Sequence, residues 1–407
     1  MLDTATARRA LIFVFVTLLL DVMGIAIIIP VMPSLLAELT HLDLGNAAIA
    51  GGWLIFAYAL MQFICAPLIG NLSDRYGRRP ILLVSVFTFA LDNLICALAP
   101  TLAWLYLGRI LAGASGGSFT TASALLADVS TDETRARNFG LIGMAFGVGF
   151  IIGPVLGGLL GEIGSRVPFY GAAALAFVNF LFGLAFLPET LPRENRRPFS
   201  LLRANPLGAL LQMRKHPELL WIGLIFFLIE LAGMTHPAIF AFMAKYRYGW
   251  SEGHVGLALS VVGVASVVTL GYIMPRMVKA IGEYRTAIVG LVVGIAGYLA
   301  YGTAWQGWMV YAIIVFSAPV GIVDPILRSM SSAKLPLNEQ GELQGAMSSL
   351  MSIVMVLCPI IATQLFGHFT APGAPLILPG APYYAAAIMQ LAALVIFLWM
   401  MRRPAAA

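Results

Sequence analysis

Followed for hydropathy alone, the chain is a series of long apolar runs separated by short polar links. A helix needs about 20 apolar residues to cross the hydrocarbon core of a bilayer. Twelve such runs can be drawn, at roughly 10–36, 47–70, 80–99, 102–127, 139–161, 168–188, 218–243, 254–275, 286–304, 308–332, 342–366 and 381–401. The pattern predicts an all-α integral membrane protein with twelve transmembrane helices. The longest polar segment, 189–217, splits the runs six and six. That predicts two pseudo-symmetric six-helix bundles, 1–188 and 218–407, joined by a cytoplasmic linker over 189–217, with a site near the midplane.

Composition narrows the class. Of 407 residues, 60% are hydrophobic and 11% charged, whereas a soluble domain carries about 25% charged residues. The net charge of +5 would suit nucleic acid. The charges fall in the links instead, so the partners expected are the lipid bilayer, protons and a small-molecule substrate, with no nucleic acid. Most Lys and Arg lie at the N-terminus, in links after even-numbered runs and at the C-terminus, which predicts a cell (inner) membrane protein with both termini cytoplasmic. Cys65, Cys96 and Cys358 lie inside apolar runs without metal-ligand spacing. They read as buried hydrophobes, and no metal or other cofactor is expected. The first run is too long for a signal-peptide core and reads as the first span.

Charge inside a bilayer costs at least about 2.5–3.5 kcal/mol and marks function by default. The residues concerned are Asp21 in the first run, Asp92 in the third, Arg109 in the fourth, Glu230 in the seventh, and Asp324 with Arg328 in the tenth. Desolvation favours a protonated acid and a nearby arginine an ionised one. That balance suits proton coupling by Asp21, Asp92, Arg109, Glu230 and Asp324, with Asp21 and Glu230 leading. The alternative is that each acid is permanently paired with an arginine. Tyr58, Gln62, Asn93, Phe119, Glu230, His236 and Arg328 are the candidate pocket residues.

One link and one apolar run in this pattern carry recognisable motifs. Between the second and third runs, Gly70, Asp74, Arg75, Gly77 and Arg78 place an acid and arginines in a turn too short to leave the membrane surface, which suggests a polar latch. This stretch resembles the loop signature of the major facilitator superfamily. In the fifth run Gly149, Gly153, Pro154, Gly157 and Gly158 would let helices approach closely, and they resemble the exporter signature of that superfamily. Leu20–Gly24, Tyr58–Gln62, Leu105–Arg109, Arg247–Trp250 and Gln344–Gly345 are similar to the twelve-helix tetracycline-efflux permeases of its drug:proton antiporter group.

The resemblance implies that Asp21, Asp74, Asp92, Arg78 and Arg109 are functional, that Asp128 pairs with the loop latch, and that Gln62 is a polar pocket position. It also exposes departures. Gly294 and Ser266 stand where those permeases carry an acid and a histidine tied to proton coupling. Residues Gly271 to Arg285 resemble a decayed copy of the latch, with Pro275 in place of the acid.

Three classes of function compete. A monomeric proton-coupled antiporter would export an amphipathic drug or tetracycline-like compound by alternating access. A proton-coupled symporter, or an exporter of a polar metabolite, would want a pocket richer in Asn, Gln and charge. An enzyme is not expected, because no phosphate-cradling loop, metal spacing or Ser/His/Asp set is present.

Overall fold

In lipid every backbone N–H and C=O must be satisfied within its own segment, which makes helices of the apolar runs. The computed structural model describes residues 4–116, 118–131, 133–199, 217–332 and 340–402, and most of these are helical. In chain order the helices are α1 (Thr4–Ala26), α2 (Met32–Thr40), α3 (Leu44–Tyr76), α4 (Arg78–Leu98), α5 (Leu102–Ser115), α6 (Ser118–Asp128), α7 (Arg135–Ile163) and α8 (Val167–Phe186). There follow α9 (Pro217–Gly233), α10 (Thr235–Tyr248), α11 (Glu252–Val268), α12 (Met274–Thr303), α13 (Gly307–Ser317), α14 (Val323–Ser332), α15 (Gln340–Thr370) and α16 (Ala381–Arg402). Residues 200–216, most of the expected linker, lie outside the described residues.

Among the described residues, 11 helical runs are long and apolar enough to cross a membrane. One of them, Glu252–Thr303, has 52 residues. As a single rod it would measure about 78 Å against a hydrocarbon core of about 30 Å. It reverses at Gly282, whose φ of 80° and ψ of 162° are not helical. Counting its two arms separately gives the twelve spans that hydropathy predicts.

Gly77 makes the same kind of reversal. Helix α3 continues to Tyr76 and α4 begins at Arg78, so the link between them is one residue with φ 108° and ψ 161°. Glycine enters that region without the Cβ penalty of other residues. The second reversal lies beyond Pro275, after a π turn over Thr269–Ile273, further along than the decayed motif suggests.

Among the described residues, four spans are broken by a 3-10 segment or a non-helical turn, and they are every third one. The first breaks at the 3-10 turn Ile29–Val31, which contains Pro30, and the fourth between Ser115 and Ser118 at Gly116. The seventh breaks at Met234, after Gly233, and the tenth at the 3-10 turn Ala318–Ile322, which contains Pro319. Interrupted helices persist at membrane depth only where protein or a cavity accepts the freed backbone groups.

By contact the chain divides into two units, one of Met1–His41, Ala57–Pro206 and Ser251–Ser260, the other of Leu42–Phe56, Leu207–Trp250 and Val261–Ala407. Residues 42–56 thus group with the spans after the linker, and residues 251–260 with those before it. The first unit buries Phe13, Leu18, Leu82 and Leu126 in one cluster. The second buries Phe226, Leu291, Leu327 and Phe397 in another.

Candidate transport site

The single-residue link at Gly77 brings the end of α3 against the start of α4. Arg78, only 8% exposed, donates to Asp74 at 2.5 Å, to the Ser73 hydroxyl at 2.7 Å and to Asp128 at 3.1 Å. Thr190 donates to the same Asp128 carboxylate at 3.2 Å. Glu189 sits over the start of α4 and accepts the backbone N–H of Arg78 at 2.9 Å, of Leu191 at 3.0 Å and of Arg79 at 3.4 Å. Arg196 lies 3.8 Å from the same carboxylate. The Gly70 carbonyl accepts the Ser73 hydroxyl at 2.9 Å, while Arg75 lies over the Tyr76 ring, apart from this cluster. Sequence reasoning missed Ser73, Glu189 and Thr190. The only signal for Glu189 was an acid directly after the sixth span.

The glycines of α7 serve two faces. A Cβ at Gly149, Gly153 or Gly157 would strike Val22, Ala26 or the Ile27 backbone, so α1 lies flush on this side. A Cβ at Gly158 would meet the backbone of Glu252 and Gly253 at the start of α11. There the Ser260 hydroxyl donates to the Ile151 carbonyl at 2.6 Å, and Gly256 packs on the Pro154 carbonyl. Sequence reasoning did not find this second face.

The charges within the spans divide evenly. The first unit holds Asp21, Asp92 and Arg109, and the second holds Glu230, Asp324 and Arg328. Arg109 meets both oxygens of the fully buried Asp92 at 2.9 and 2.8 Å, with Cys96 Sγ beside them. Gly108 leaves room for this pair, since a Cβ there would press on Cys96 and Asp92. Arg328 meets Asp324 at 2.8 Å and lays its guanidinium over Phe226 at 4.9 Å. Each unit therefore has two carboxylates and one guanidinium, and one carboxylate is left over. In the first unit it is Asp21, whose Oδ2 is buried with no hydrogen-bond partner among the described residues and whose neighbour is Ser118, at the break in the fourth span. In the second it is Glu230, close to Asp324 and Arg328 and partly buried.

The pocket candidates fall into two groups. In the first unit Tyr58 and Gln62 back onto the fourth span, whose Gly113 admits the Tyr58 carbonyl, and Gln62 Nε2 lies 3.5 Å from the Gly116 carbonyl at the break. Asn93 is fully buried and donates to its own helix at the Phe89 carbonyl, 2.8 Å away. Phe119 is exposed, edge-on to Phe146.

In the second unit a cavity of about 240 Å³ is lined by His236, Ser266, Gly294, Tyr298 and Tyr301, among others. His236 Nδ1 pairs with the Tyr383 hydroxyl at 3.1 Å, its ring stacks on Phe240 at 4.5 Å, and its Nε2 has no partner among the described residues. Gly294 faces Gln390, which is fully buried with both amide atoms unpartnered among the described residues. The two positions where the resemblance puts ionisable groups thus open onto one cavity, and an amide from the last span fills the space beside Gly294.

Broken spans at every third position, a polar latch at a one-residue link and stranded carboxylates are features of a transporter. The sequence profile of the Major Facilitator Superfamily matches residues 14–356 and 233–407. The chain belongs to the major facilitator superfamily. Its members act on small molecules in a membrane, and this one is a multi-pass transporter rather than an enzyme. The class C tetracycline resistance protein of Escherichia coli is 38% identical over 360 residues, covering 88% of this chain and 90% of that one. Multidrug resistance protein 2 of Bacillus subtilis (strain 168) is 27% identical over 363 residues, covering 87% and 88%. Among solved structures, that of the nucleoside transporter NupG superposes with a TM-score of 0.78 at 13% identity, covering 98% of this chain and 100% of that one. At that identity the likeness speaks for the superfamily fold alone.

Proposed function

We propose that this transporter is a proton-coupled antiporter that exports an amphipathic small molecule from the cytoplasm by alternating access, with both termini on the cytoplasmic side of the cell membrane. The observation that carries this reading is the buried Asp21 Oδ2, which has no hydrogen-bond partner among the described residues. An ionised carboxylate left so is costly, and protonation or a ligand relieves the cost. Protonation of Asp21 from outside removes a charge, weakens the hold on a bound substrate and lets the emptied carrier return. The ligand shifts the two states only by its differential affinity for them.

Export is supported by the close-packed glycines of α7 and by relatives whose names are those of resistance proteins. Tetracycline is one candidate cargo and the first to test, although Ser266 and Gly294 supply no ionisable group to the second unit's cavity. The cluster of Asp74, Arg78, Asp128 and Glu189 sets the rate of interconversion, and the apolar and aromatic pocket residues receive the cargo.

The test is purified protein in liposomes under an imposed pH difference. Candidate cargo should move opposite to the flow of protons, driven by their gradient, and release protons on binding, and Asp21→Asn should abolish that release. Flux indifferent to the gradient, or unchanged coupling in Asp21→Asn, overturns the reading.

A further inference from the structure

We propose that the cavity in the second unit is a recognition site for an uncharged aromatic group bearing a carbonyl, with the His236 Nε2–H as the donor that reads the carbonyl oxygen. This deepens the export reading above, on which it rests, by naming the cargo's chemistry. His236 stands in the first turn of α10, directly after the break of the seventh span at Met234, and lines the cavity together with Gly233 and Pro237. The positive end of the helix dipole at that turn also favours an acceptor.

The hydrogen bond on the far side of the ring fixes which nitrogen carries the proton. Tyr383 is wholly buried, and its hydroxyl lies 3.1 Å from His236 Nδ1, its one hydrogen-bond partner among the described residues. If Nδ1 donated, the phenol proton would be left there without an acceptor, which is costly in a buried place. The phenol therefore donates to Nδ1, and a neutral imidazole that accepts at one nitrogen carries its proton on the other. Nε2 is then a buried N–H with no partner among the described residues. The Nδ1 edge is turned to Tyr383 and one ring face is stacked on Phe240 at 4.5 Å, and neither of those residues lines the cavity. The Nε2 side of the ring is what remains for a guest.

The walls decide what else the guest carries. Among the described residues no Asp, Glu, Lys or Arg lines the cavity, so a charged guest would find no counter-ion on its walls. Val262, Ile314 and the rings of Tyr298 and Tyr301 give apolar surface, and Gly294 and Gly297 leave part of the wall without side chains, where a flat ring can lie. At about 240 Å³ the cavity takes one substituted ring, less than the roughly 300–1,000 Å³ of a site for a whole drug-sized ligand. It would hold the aromatic end of a larger cargo.

A ring of the same shape without an acceptor gains the apolar contact alone and leaves the Nε2–H unpaired. The discrimination expected of one such hydrogen bond is about five- to tenfold in affinity.

The experiment is NMR of the full chain, with isotopically labelled histidine nitrogens, in lipid nanodiscs titrated with acetophenone and with no gradient imposed. The wild-type protein should show an Nε2–H tautomer signal that His236→Gln lacks, and acetophenone should shift it saturably. By ligand-observed saturation transfer, ethylbenzene, which has the shape without the oxygen, should bind about five- to tenfold more weakly, and benzoate, which adds a charge, at least about tenfold more weakly. In Tyr383→Phe the Nδ1 atom loses its donor, and the single tautomer should give way to a mixture. His236→Phe combined with Tyr383→Phe removes both hydrogen-bonding groups and keeps the rings, so it should bind acetophenone and ethylbenzene alike, with thermal unfolding to confirm that it is folded. An Nδ1–H tautomer at His236, no saturable shift with acetophenone, or wild-type affinity for ethylbenzene or benzoate equal to that for acetophenone overturns the proposal. Because the assay needs no transport, loss of proton coupling in liposomes with acetophenone binding intact counts against the antiport reading alone.

Discussion

Arg109 and Asp92 lock together across adjacent spans, the guanidinium nitrogen meeting the two carboxylate oxygens at 2.9 and 2.8 Å where the acid is wholly out of solvent. Removing one partner strands a buried charge, which costs about 3–5 kcal/mol, whereas removing both strands none. Asp92→Asn should therefore lower the thermal unfolding midpoint in detergent sharply. Asp92→Asn combined with Arg109→Gln should lose less than the two single losses added together. Strictly additive losses would show that the pair is not coupled.

The α7 glycines differ in what surrounds them. A Cβ at Gly157 meets the Ile27 backbone, which cannot step aside, while nothing lies within 4 Å of one at Gly143. Gly157→Ala should part α1 from α7 and reduce both folded yield and transport. Gly143→Ala should be neutral or slightly stabilising, since glycine in a helix costs about 0.5–1 kcal/mol relative to alanine. Equal behaviour of the two variants in a melting assay would refute this division.

Gly77 and Gly282 both reverse the chain at positive φ, 108° and 80°. With ψ of 161° and 162° both lie in a region open essentially to glycine alone, where alanine costs about 1–3 kcal/mol. At Gly77 the new methyl also collides with the Glu189 carboxylate, and at Gly282 it meets nothing. Gly77→Ala should be the more damaging by unfolding and by transport rate. The reverse order would mean that the Glu189 contact has no structural weight.

Glu189 caps the start of α4 through backbone N–H groups rather than through its own helix. Losing a cap of this kind costs about 0.5–2 kcal/mol. Glu189→Ala should slow the transport cycle and leave equilibrium cargo affinity close to wild type, because the capped end is in the latch and not in the cavity. Weakened binding at an unchanged rate, read by the nanodisc and liposome assays together, would place Glu189 elsewhere in the mechanism.

Asp43 offers a pH readout outside the spans. Slight burial pushes its carboxyl up, but the hydrogen bonds from Asn46 Nδ2 at 2.6 Å, Asn46 N at 3.1 Å and Gly45 N at 2.9 Å outweigh that and hold it below the ordinary aspartate range. A depressed folded value means the stabilisation is full above the unfolded value of about 3.9 and is lost as pH falls through the folded one. Asp43→Ala should therefore melt below wild type at neutral pH, and the gap should close as acid protonates Asp43. A gap that persists in strong acid would refute the cap.

Hydropathy by itself determined the spans, because lipid imposes one solution on any apolar run of sufficient length. It also placed six charges within them, and the loop's glycines and arginines announced a tight polar turn. It did not determine which spans are broken. Pro67, Pro154 and Pro359 sit inside continuous helices while Pro30 and Pro319 sit in breaks, so a proline marks a place where a helix can yield and packing decides whether it does. Nor could sequence order assign partners to the charges. Helical period fixes the face on which a side chain stands, but Asp128 reaches Arg78 across 50 residues and Glu189 across 111. Only tertiary packing, which chooses the face opposite, paired Asp92 and Asp324 with their arginines and left Asp21 and Glu230 with no ion pair among the described residues.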